Sequence, residues 1–102
     1  MKTYYTYILT NFSKTVLYVG ITNSLSRRLV EHYENRGTNQ SFAGKYHCYY
    51  LVYYETFHSP IKAIQREKEI KKWSRKKKVE LIESSNPNWD FLNASFVKGW
   101  KD

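Results

Sequence analysis

Three stretches of the chain are dominated by aromatic and β-branched residues, and each predicts a strand. They cover residues 4–9, 16–21 and 49–57. A polar, turn-prone segment separates the first two, which predicts a hairpin with Tyr7 and Tyr18 near each other on one face. The third stretch is apolar almost throughout, which is typical of a strand covered on both faces. We therefore expect this third strand to lie inside the sheet.

The segment that follows the second strand has the periodicity of an amphipathic helix. Polar capping residues precede it, and Leu25, Leu29 and Tyr33 recur at four-residue spacing. Arg28 and His32 lie on or beside this apolar row, whereas residues 27 and 31 should point away. A guanidinium on the inward flank needs an acceptor, and a carboxylate or a backbone carbonyl is the structural alternative to a ligand.

A second long helix is predicted from residue 59, where a serine cap is followed by proline. Glu67 interrupts its apolar row near the middle. A carboxylate in such a row is costly unless it is paired or bound to a cation. An ion pair with Lys71, one turn on, or a contact with Arg66 is the structural explanation, and a metal ion is the functional one. The row consists of Ile61, Ile64, Ile70 and Trp73.

Length and composition favour one small domain, because 102 residues can bury one modest core but not two. We expect this domain at residues 1–92, with residues 93–102 as a short tail that frays. The chain has no apolar run near the ~20 residues of a membrane span and no signal-peptide pattern, so we expect a cytoplasmic protein without a membrane partner. A single cysteine, Cys48, excludes an internal disulfide and a zinc site built on several thiolates.

The net charge of +8 and the pI near 9.6 predict attraction to polyanions, with nucleic acid as the first candidate. Cations are concentrated where Ser74 caps a third helix that runs to about residue 83. Cations at a helix N-terminus oppose the macrodipole, and bound phosphates would offset this, although a solvated basic face is the alternative. The predicted nucleic-acid contacts are Lys45 in a polar loop, then Lys71, Lys72, Arg75, Lys76, Lys77 and Lys78.

An ordered set of residues resembles the GIY-YIG nuclease domain. The set comprises Tyr7 in Tyr-Ile-Leu, Tyr18 in Tyr-Val-Gly, Arg28 and His32 on the following helix, and Glu67 on a later helix. The resemblance is to small stand-alone bacterial members in particular, and to the N-terminal nuclease domain of the excision-repair incision subunit. It covers about residues 4–92, nearly the whole chain.

The chain departs from the family pattern at two places. Tyr5 and Thr6 stand where the first signature has Gly-Ile, and Ile21 follows Gly20 where repair members carry a lysine. The cationic contribution of that lysine must therefore be absent here or come from elsewhere.

The resemblance implies an α/β (α+β) domain with a small three-stranded antiparallel sheet flanked by helices. It also implies an endonuclease that hydrolyses phosphodiester bonds of DNA with a divalent metal, Mg²⁺ or Mn²⁺. The implied partner is nucleic acid, with DNA favoured over RNA and a monomer as the default state. A single small domain has little surface for recognising sequence, so we expect it to act on DNA structure or damage, as in DNA repair, or with a partner protein.

The resemblance also implies a role for each site residue. Glu67 would hold the metal, and Tyr7 or Tyr18 would act as general base or orient the attacking water. Arg28 would clamp the phosphate, and His32 would hydrogen-bond a tyrosine or the leaving group. Structural roles fall to Gly20 and Asn86.

Two other functions are compatible with the sequence. One is a non-catalytic nucleic-acid-binding module with the same fold, because fold similarity does not guarantee chemistry. The other is a protein-interaction adaptor with a basic face. A carboxylate directed at phosphate has little use in binding alone, which favours the enzyme.

Overall fold

The fold is a three-stranded antiparallel sheet flanked by helices, as the sequence predicts. A computed structural model describes residues 2–101. The strands are β1 (Tyr4–Thr10), β2 (Leu17–Thr22) and β3 (Tyr50–Phe57), in the spatial order β2-β1-β3. The helices are α1 (Leu25–Glu34), α2 (Phe42–Lys45), α3 (Pro60–Lys71) and α4 (Arg75–Ser85), followed by a 3₁₀ turn at Asn93–Ser95. Among the described residues, no helix combines the length and apolar character needed to cross a membrane.

The sheet separates two apolar cores, because successive side chains of a strand point to opposite faces. Tyr7 and Leu9 face the core that contains residues of α1 and α2. Ile8 and Val19 face the core that contains residues of α3 and α4. The central strand β1 therefore contributes to both cores, and α1 and α3 are held on opposite sides of the sheet.

Serine residues begin the three long helices, as predicted. The hydroxyl oxygens of Ser24, Ser59 and Ser74 each accept a hydrogen bond from the backbone N–H three residues later. Each bond satisfies one of the N–H groups that a helix N-terminus leaves without an intrahelical acceptor. Because Ser24 caps α1 only two residues after β2 ends, the first turn of this helix lies close to the strand.

The position expected for the third strand is wrong, because β3 lies at an edge of the sheet and β1 lies in the centre. The apolar character that suggested an internal strand has another cause. The first half of β3 is buried, and the C-terminal segment covers its outer edge. The Leu92 N–H donates to the Leu51 carbonyl over 2.8 Å, and the Leu51 N–H donates to Asn93 Oδ1 over 2.8 Å.

The apolar row expected on α3 is also displaced. Ile61 and Ile64 are 65% and 36% exposed, so the buried face does not contain them. That face is formed by Ala63 and Ile70, which are almost completely buried, with half-buried Glu67 between them. The sequence correctly identifies Glu67 as an interruption of the buried row. The row itself begins at Ala63, whose small side chain adds little to the apolar pattern of the sequence.

The segment from Asn93 to Trp100 packs against the body instead of fraying. Asn93 is completely buried, and Phe96 and Val97 pack against the core that faces α1. The Trp100 ring contacts the Tyr33 ring with 5.4 Å between centroids. The segment is ordered because its aromatic and amide groups have specific partners on the body.

Candidate functional site

Two tyrosines and a histidine meet where the β1–β2 hairpin faces α1. Tyr7 pairs with Gly20 across the hairpin, and Tyr18 lies two residues along β2 on the same face. The Tyr7 hydroxyl oxygen is 2.9 Å from His32 Nε2, which is within hydrogen-bond distance. The ring centroid of Tyr18 is 6.4 Å from that of Tyr7 and 5.4 Å from that of His32. The structure thus brings together three of the predicted site residues.

Gly20 makes room for the Tyr7 ring. A Cβ atom built at Gly20 would lie 2.7 Å from the Tyr7 hydroxyl oxygen and 2.8 Å from Tyr7 Cζ. Both distances are too short for non-bonded contact, and Tyr7 is only 1% exposed, so the ring has little space to move. In the structure, the role of Gly20 is therefore to leave space for the Tyr7 side chain.

Arg28 supplies positive charge beside the phenols. It follows Ser24 by one helical turn and is half-buried, and its Nη1 donates to Glu31 Oε1 over 3.0 Å. Burial opposes the charge, but hydrogen bonds with Glu31 and Tyr7 more than offset it and raise the pKa of Arg28. Glu31 was expected to point away, yet it holds the guanidinium. Its spacing of three residues from Arg28 is the signal that sequence reasoning overlooked.

The Tyr7 phenol and the His32 imidazole are neutral at pH 7, and burial strengthens the preference of each for its neutral form. Burial and the neighbouring Tyr18 raise the pKa of Tyr7, against the opposing influence of Arg28. Burial, followed by the positive charge of Arg28, lowers the pKa of His32 to about 4. The free protein therefore presents a neutral phenol and a neutral imidazole beside one cationic guanidinium.

Glu67 lies on α3, which packs on the face of the sheet opposite to α1. Its side chain is 17% exposed, and one carboxylate oxygen lies 3.4 Å from Lys71 Nζ. The negative charge of Glu67 is among the influences that raise the pKa of Tyr7, which makes the two side chains electrostatic neighbours. Within residues 2–101, no group of three or more His, Cys, Asp and Glu side chains could hold a metal ion. Of the five predicted catalytic residues, Glu67 is the one with a carboxylate, which is the type of group that could hold a hard cation.

A basic groove lies beside the hairpin, next to the β2 residues that precede Tyr18. Arg75 at the start of α4 donates from Nη1 to the Thr15 carbonyl over 3.0 Å and from Nη2 to the Lys14 carbonyl over 3.2 Å. These bonds tie α4 to the hairpin loop and leave other guanidinium N–H groups for a ligand. The groove, of about 230 Å³, is lined by Thr15, Val16, Leu17, Phe42, Arg75 and Lys78.

The other predicted nucleic-acid contacts have separate surroundings. Lys71 is paired with Glu67, so its positive charge is partly neutralised within the protein. The Nζ atom of Lys77 lies 4.2 Å from the Trp73 ring centroid, and that of Lys45 lies 5.4 Å from the Tyr46 ring centroid. Lys72 and Lys76 are exposed.

Asn86 lies on the β3 side of the molecule and has a structural position. Its Nδ2 donates to the Val52 and Asp90 carbonyls over 2.9 Å each, and its Oδ1 accepts from the Asp90 N–H. Asn93 makes equivalent contacts with β3 but was not predicted, because an isolated asparagine after a tryptophan-containing turn has no distinguishing pattern. Both amides satisfy backbone groups of an edge strand.

The chain is similar to known proteins in both sequence and structure. Residues 3–80 match the family model described as the GIY-YIG catalytic domain. A UPF0213 protein of Staphylococcus haemolyticus is 35% identical over 83 residues, which cover 81% of this chain and 98% of the relative. A UPF0213 protein of Bacillus pumilus is 39% identical over 67 residues, which cover 66% of each chain. The solution NMR structure of a UPF0213 protein from Bacillus halodurans superposes with a TM-score of 0.55 and 25% identity, covering 94% of this chain and 99% of that one.

Proposed function

The chain belongs to the GIY-YIG family of nuclease catalytic domains, and on that premise we propose that it is a divalent-metal-dependent endonuclease acting on DNA. The observation that carries the proposal is the convergence of Tyr7, Tyr18 and His32 around Gly20. Arg28 and Glu67 contribute charges that influence the Tyr7 phenol at the same place. Cleavage of an anionic phosphodiester requires neutralisation of charge, an activated water and help for the leaving oxygen. The groups around Gly20 are of the types that can meet these needs.

Glu67 fits a hydrated Mg²⁺ or Mn²⁺ ion. Mg²⁺ retains several waters and is commonly held by one or two carboxylates together with substrate phosphates. Lys71 Nζ lies 3.4 Å from one carboxylate oxygen of half-buried Glu67, so a metal ion would compete with this exposed lysine for the carboxylate. When bound, the ion would neutralise phosphate charge and lower the pKa of a coordinated water.

The remaining roles follow from burial and charge. Arg28 would hold a phosphate oxygen, in competition with Glu31. Tyr7 is only 1% exposed and has a raised pKa, so it would orient its neighbours as a neutral hydrogen-bonding group. Tyr18 is half-buried beside it, and we assign to it the contact with the attacking water. His32, neutral at pH 7, would hold the Tyr7 hydroxyl in place.

The substrate proposal rests on charge and size. The groove beside α4 places Arg75 and Lys78 next to Leu17, which precedes Tyr18 in β2, and positive charge there would bind phosphates of the DNA backbone. With 102 residues, the domain has little surface for base-specific contacts, which supports action on DNA structure or damage.

Incubation of supercoiled plasmid, flapped duplex and single-stranded RNA with the protein and Mg²⁺ or Mn²⁺ tests the proposal. We expect metal-dependent DNA cleavage that falls by on the order of a hundredfold in Glu67→Gln. Glu69→Gln, which alters an exposed carboxylate of the same helix, should retain the wild-type rate. Cleavage that is equally fast in Glu67→Gln would reject the metal role of that residue.

The same experiment separates the enzyme from the non-catalytic binding module. Salt-dependent DNA binding by the wild-type protein, with no cleavage of any substrate in either metal, would support the module. Cleavage of RNA in preference to DNA would contradict the substrate that we propose.

A further inference from the structure

Two opposed residues of the sheet contact α3 within the turn that precedes Glu67. Thr6 on β1 lies directly opposite Glu55 on β3 in the strand register. Thr6 Oγ1 donates to the Ala63 carbonyl over 2.9 Å. Glu55 accepts two hydrogen bonds from Arg66, to Oε1 from Nε and to Oε2 from Nη2, each 2.9 Å long. One cross-strand pair therefore contacts α3 at two positions within a single turn.

The contact between Arg66 and Glu55 has the features of a strong ion pair. It is bidentate, and the side chains are 25% and 21% exposed, so water screens it less than a surface pair. The Tyr53 hydroxyl also donates to Glu55, and the Arg66 guanidinium carbon lies 5.0 Å from the Trp73 ring centroid. Arg66 also pairs with Glu69 on its own helix, a contact that does not reach the sheet.

The helix needs polar contacts because its apolar contact with the sheet is thin. Of its described residues, only Ala63 and Ile70 are fully buried, and Ala63 is small. A shift of one residue around an α-helix rotates a side chain by about 100°. A modest rotation of α3 would therefore move the Glu67 carboxylate away from Tyr7.

We propose that Thr6, Glu55 and Arg66 form a polar clamp that sets the rotation of α3 and thereby positions the Glu67 carboxylate toward the phenols. They are positioning residues and contact neither substrate nor metal. The clamp rests on the proposed function, because it assigns a purpose to the orientation of the metal carboxylate.

The experiment compares Glu55→Gln with Glu69→Gln. Both changes remove one carboxylate from the same guanidinium, but only the first breaks the link to the sheet. In Glu55→Gln, the Mg²⁺ concentration for half-maximal cleavage should rise by about tenfold, with KM for DNA changed less than about twofold. In Glu69→Gln, both quantities should remain at the wild-type value. Equal Mg²⁺ dependence in the two variants would overturn the clamp.

Arg66→Lys provides a variant that keeps the charge and the fold but loses the two-point contact. It should give a smaller rise in the Mg²⁺ requirement than Glu55→Gln. The exchange Glu55→Arg with Arg66→Glu, which restores opposite charges across the same gap, should recover part of the loss. A swap that behaves like the sum of its single changes would contradict a pairwise clamp.

A second measurement separates this inference from the proposed function. Mn²⁺ titrated into the isotopically labelled protein should broaden the amide resonances around Glu67, and Glu55→Gln should require about tenfold more Mn²⁺ for the same broadening. That result in a protein that cleaves nothing would support the clamp and reject the enzyme. Absence of broadening near Glu67 in the wild-type protein would overturn both.

Discussion

At the scale of single residues, the candidate site depends on the lack of a side chain at Gly20. Tyr7 and Gly20 are partners across the hairpin, and the phenol occupies the volume that any other residue at position 20 would fill. The tyrosine is then held between His32 on one side and the β2 backbone on the other. Gly20 of the Tyr-Val-Gly motif therefore determines where Tyr7 of the Tyr-Ile-Leu motif lies.

The substitution Gly20→Ala tests this dependence. The added methyl group would overlap the Tyr7 hydroxyl and Cζ, so the ring must move away from His32. We expect the free energy of unfolding to fall by about 1–3 kcal/mol and cleavage to fall with it. Chemical denaturation measures the change in the free energy of unfolding. The NMR resonances of the His32 ring report whether the Tyr7 ring has moved away from it. Wild-type stability and activity would show that the ring has space that the structure does not reveal.

The buried histidine predicts a pH dependence of stability. The folded pKa of His32 is about 4, below the ordinary value of about 6.5, so the unfolded chain takes up a proton in this interval and the folded chain does not. The free energy of unfolding should therefore fall as the pH is lowered from about 6.5 to about 4, by up to about 3 kcal/mol from this group. Denaturation of the wild-type protein and of His32→Gln across that pH range measures this fall in the free energy of unfolding. The part of the fall that is due to His32 should be absent in the variant.

At the scale of elements, the edge strand β3 is completed by asparagine side chains. Asn93 accepts the Leu51 N–H and donates to the Tyr49 carbonyl, each over 2.8 Å. Asn86 performs a similar task for the Val52 carbonyl. Amides can satisfy a donor and an acceptor at once, which suits them to close an edge that has no fourth strand.

Asn93→Ala should consequently destabilise the protein by at least about 2 kcal/mol, because it leaves a buried donor and a buried acceptor without partners. Asn88, an exposed asparagine in the preceding turn, provides the matched control, and its change to alanine should cost less than about 0.5 kcal/mol. Thermal or urea unfolding measures both values. Similar costs for the two substitutions would argue against an edge-closing role for Asn93.

At the scale of the whole molecule, charge is distributed unevenly around the site. The net charge is +8, and Arg75 and Lys78 line a groove that adjoins the hairpin. Long-range attraction to a polyanion depends on this distribution more than on any one contact. The groove therefore predicts which lysines determine how strongly binding depends on salt.

Two double variants with the same total charge test the groove. The first, Lys76→Gln with Lys78→Gln, removes two positive charges from α4, which borders the groove. The second, Lys98→Gln with Lys101→Gln, removes two positive charges from the C-terminal segment. The first should weaken DNA binding and reduce the slope of log affinity against log salt by about 1–2, and the second should change the slope by less than about 0.5. Fluorescence anisotropy over a salt series measures both slopes. Equal slopes would indicate that only net charge matters.

Local features were the most predictable from sequence. The hairpin, the serine caps and the proximity of Tyr7 and Tyr18 each follow from patterns within about 20 residues. Strand order was not predictable in the same way, because a buried central strand and an edge strand covered by the C-terminal segment have the same apolar composition. The phase of α3 was missed because Ala63 contributes burial without contributing a strong apolar signal.

The site followed the same division. Tyr18, Arg28 and His32 lie close together in sequence and were placed correctly on their elements. The placement of Glu67 near Tyr7 depends on how α3 packs across the sheet, and no local pattern contains that information. Glu31 and Asn93 were overlooked because each acts through polar contacts with particular partners, which the apolar pattern of the sequence does not identify.

This division has a consequence for the order in which the molecule gains its properties during folding. Four of the five candidate site residues come from the first hairpin and the helix after it, whose contacts require only short loops to close, whereas Glu67 arrives with a helix from the later part of the chain. If the proposed function holds, a partly folded protein would bind phosphate before it acquires the carboxylate to which we assign the metal. Loss of α3 by local unfolding would then abolish cleavage while leaving phosphate binding in place.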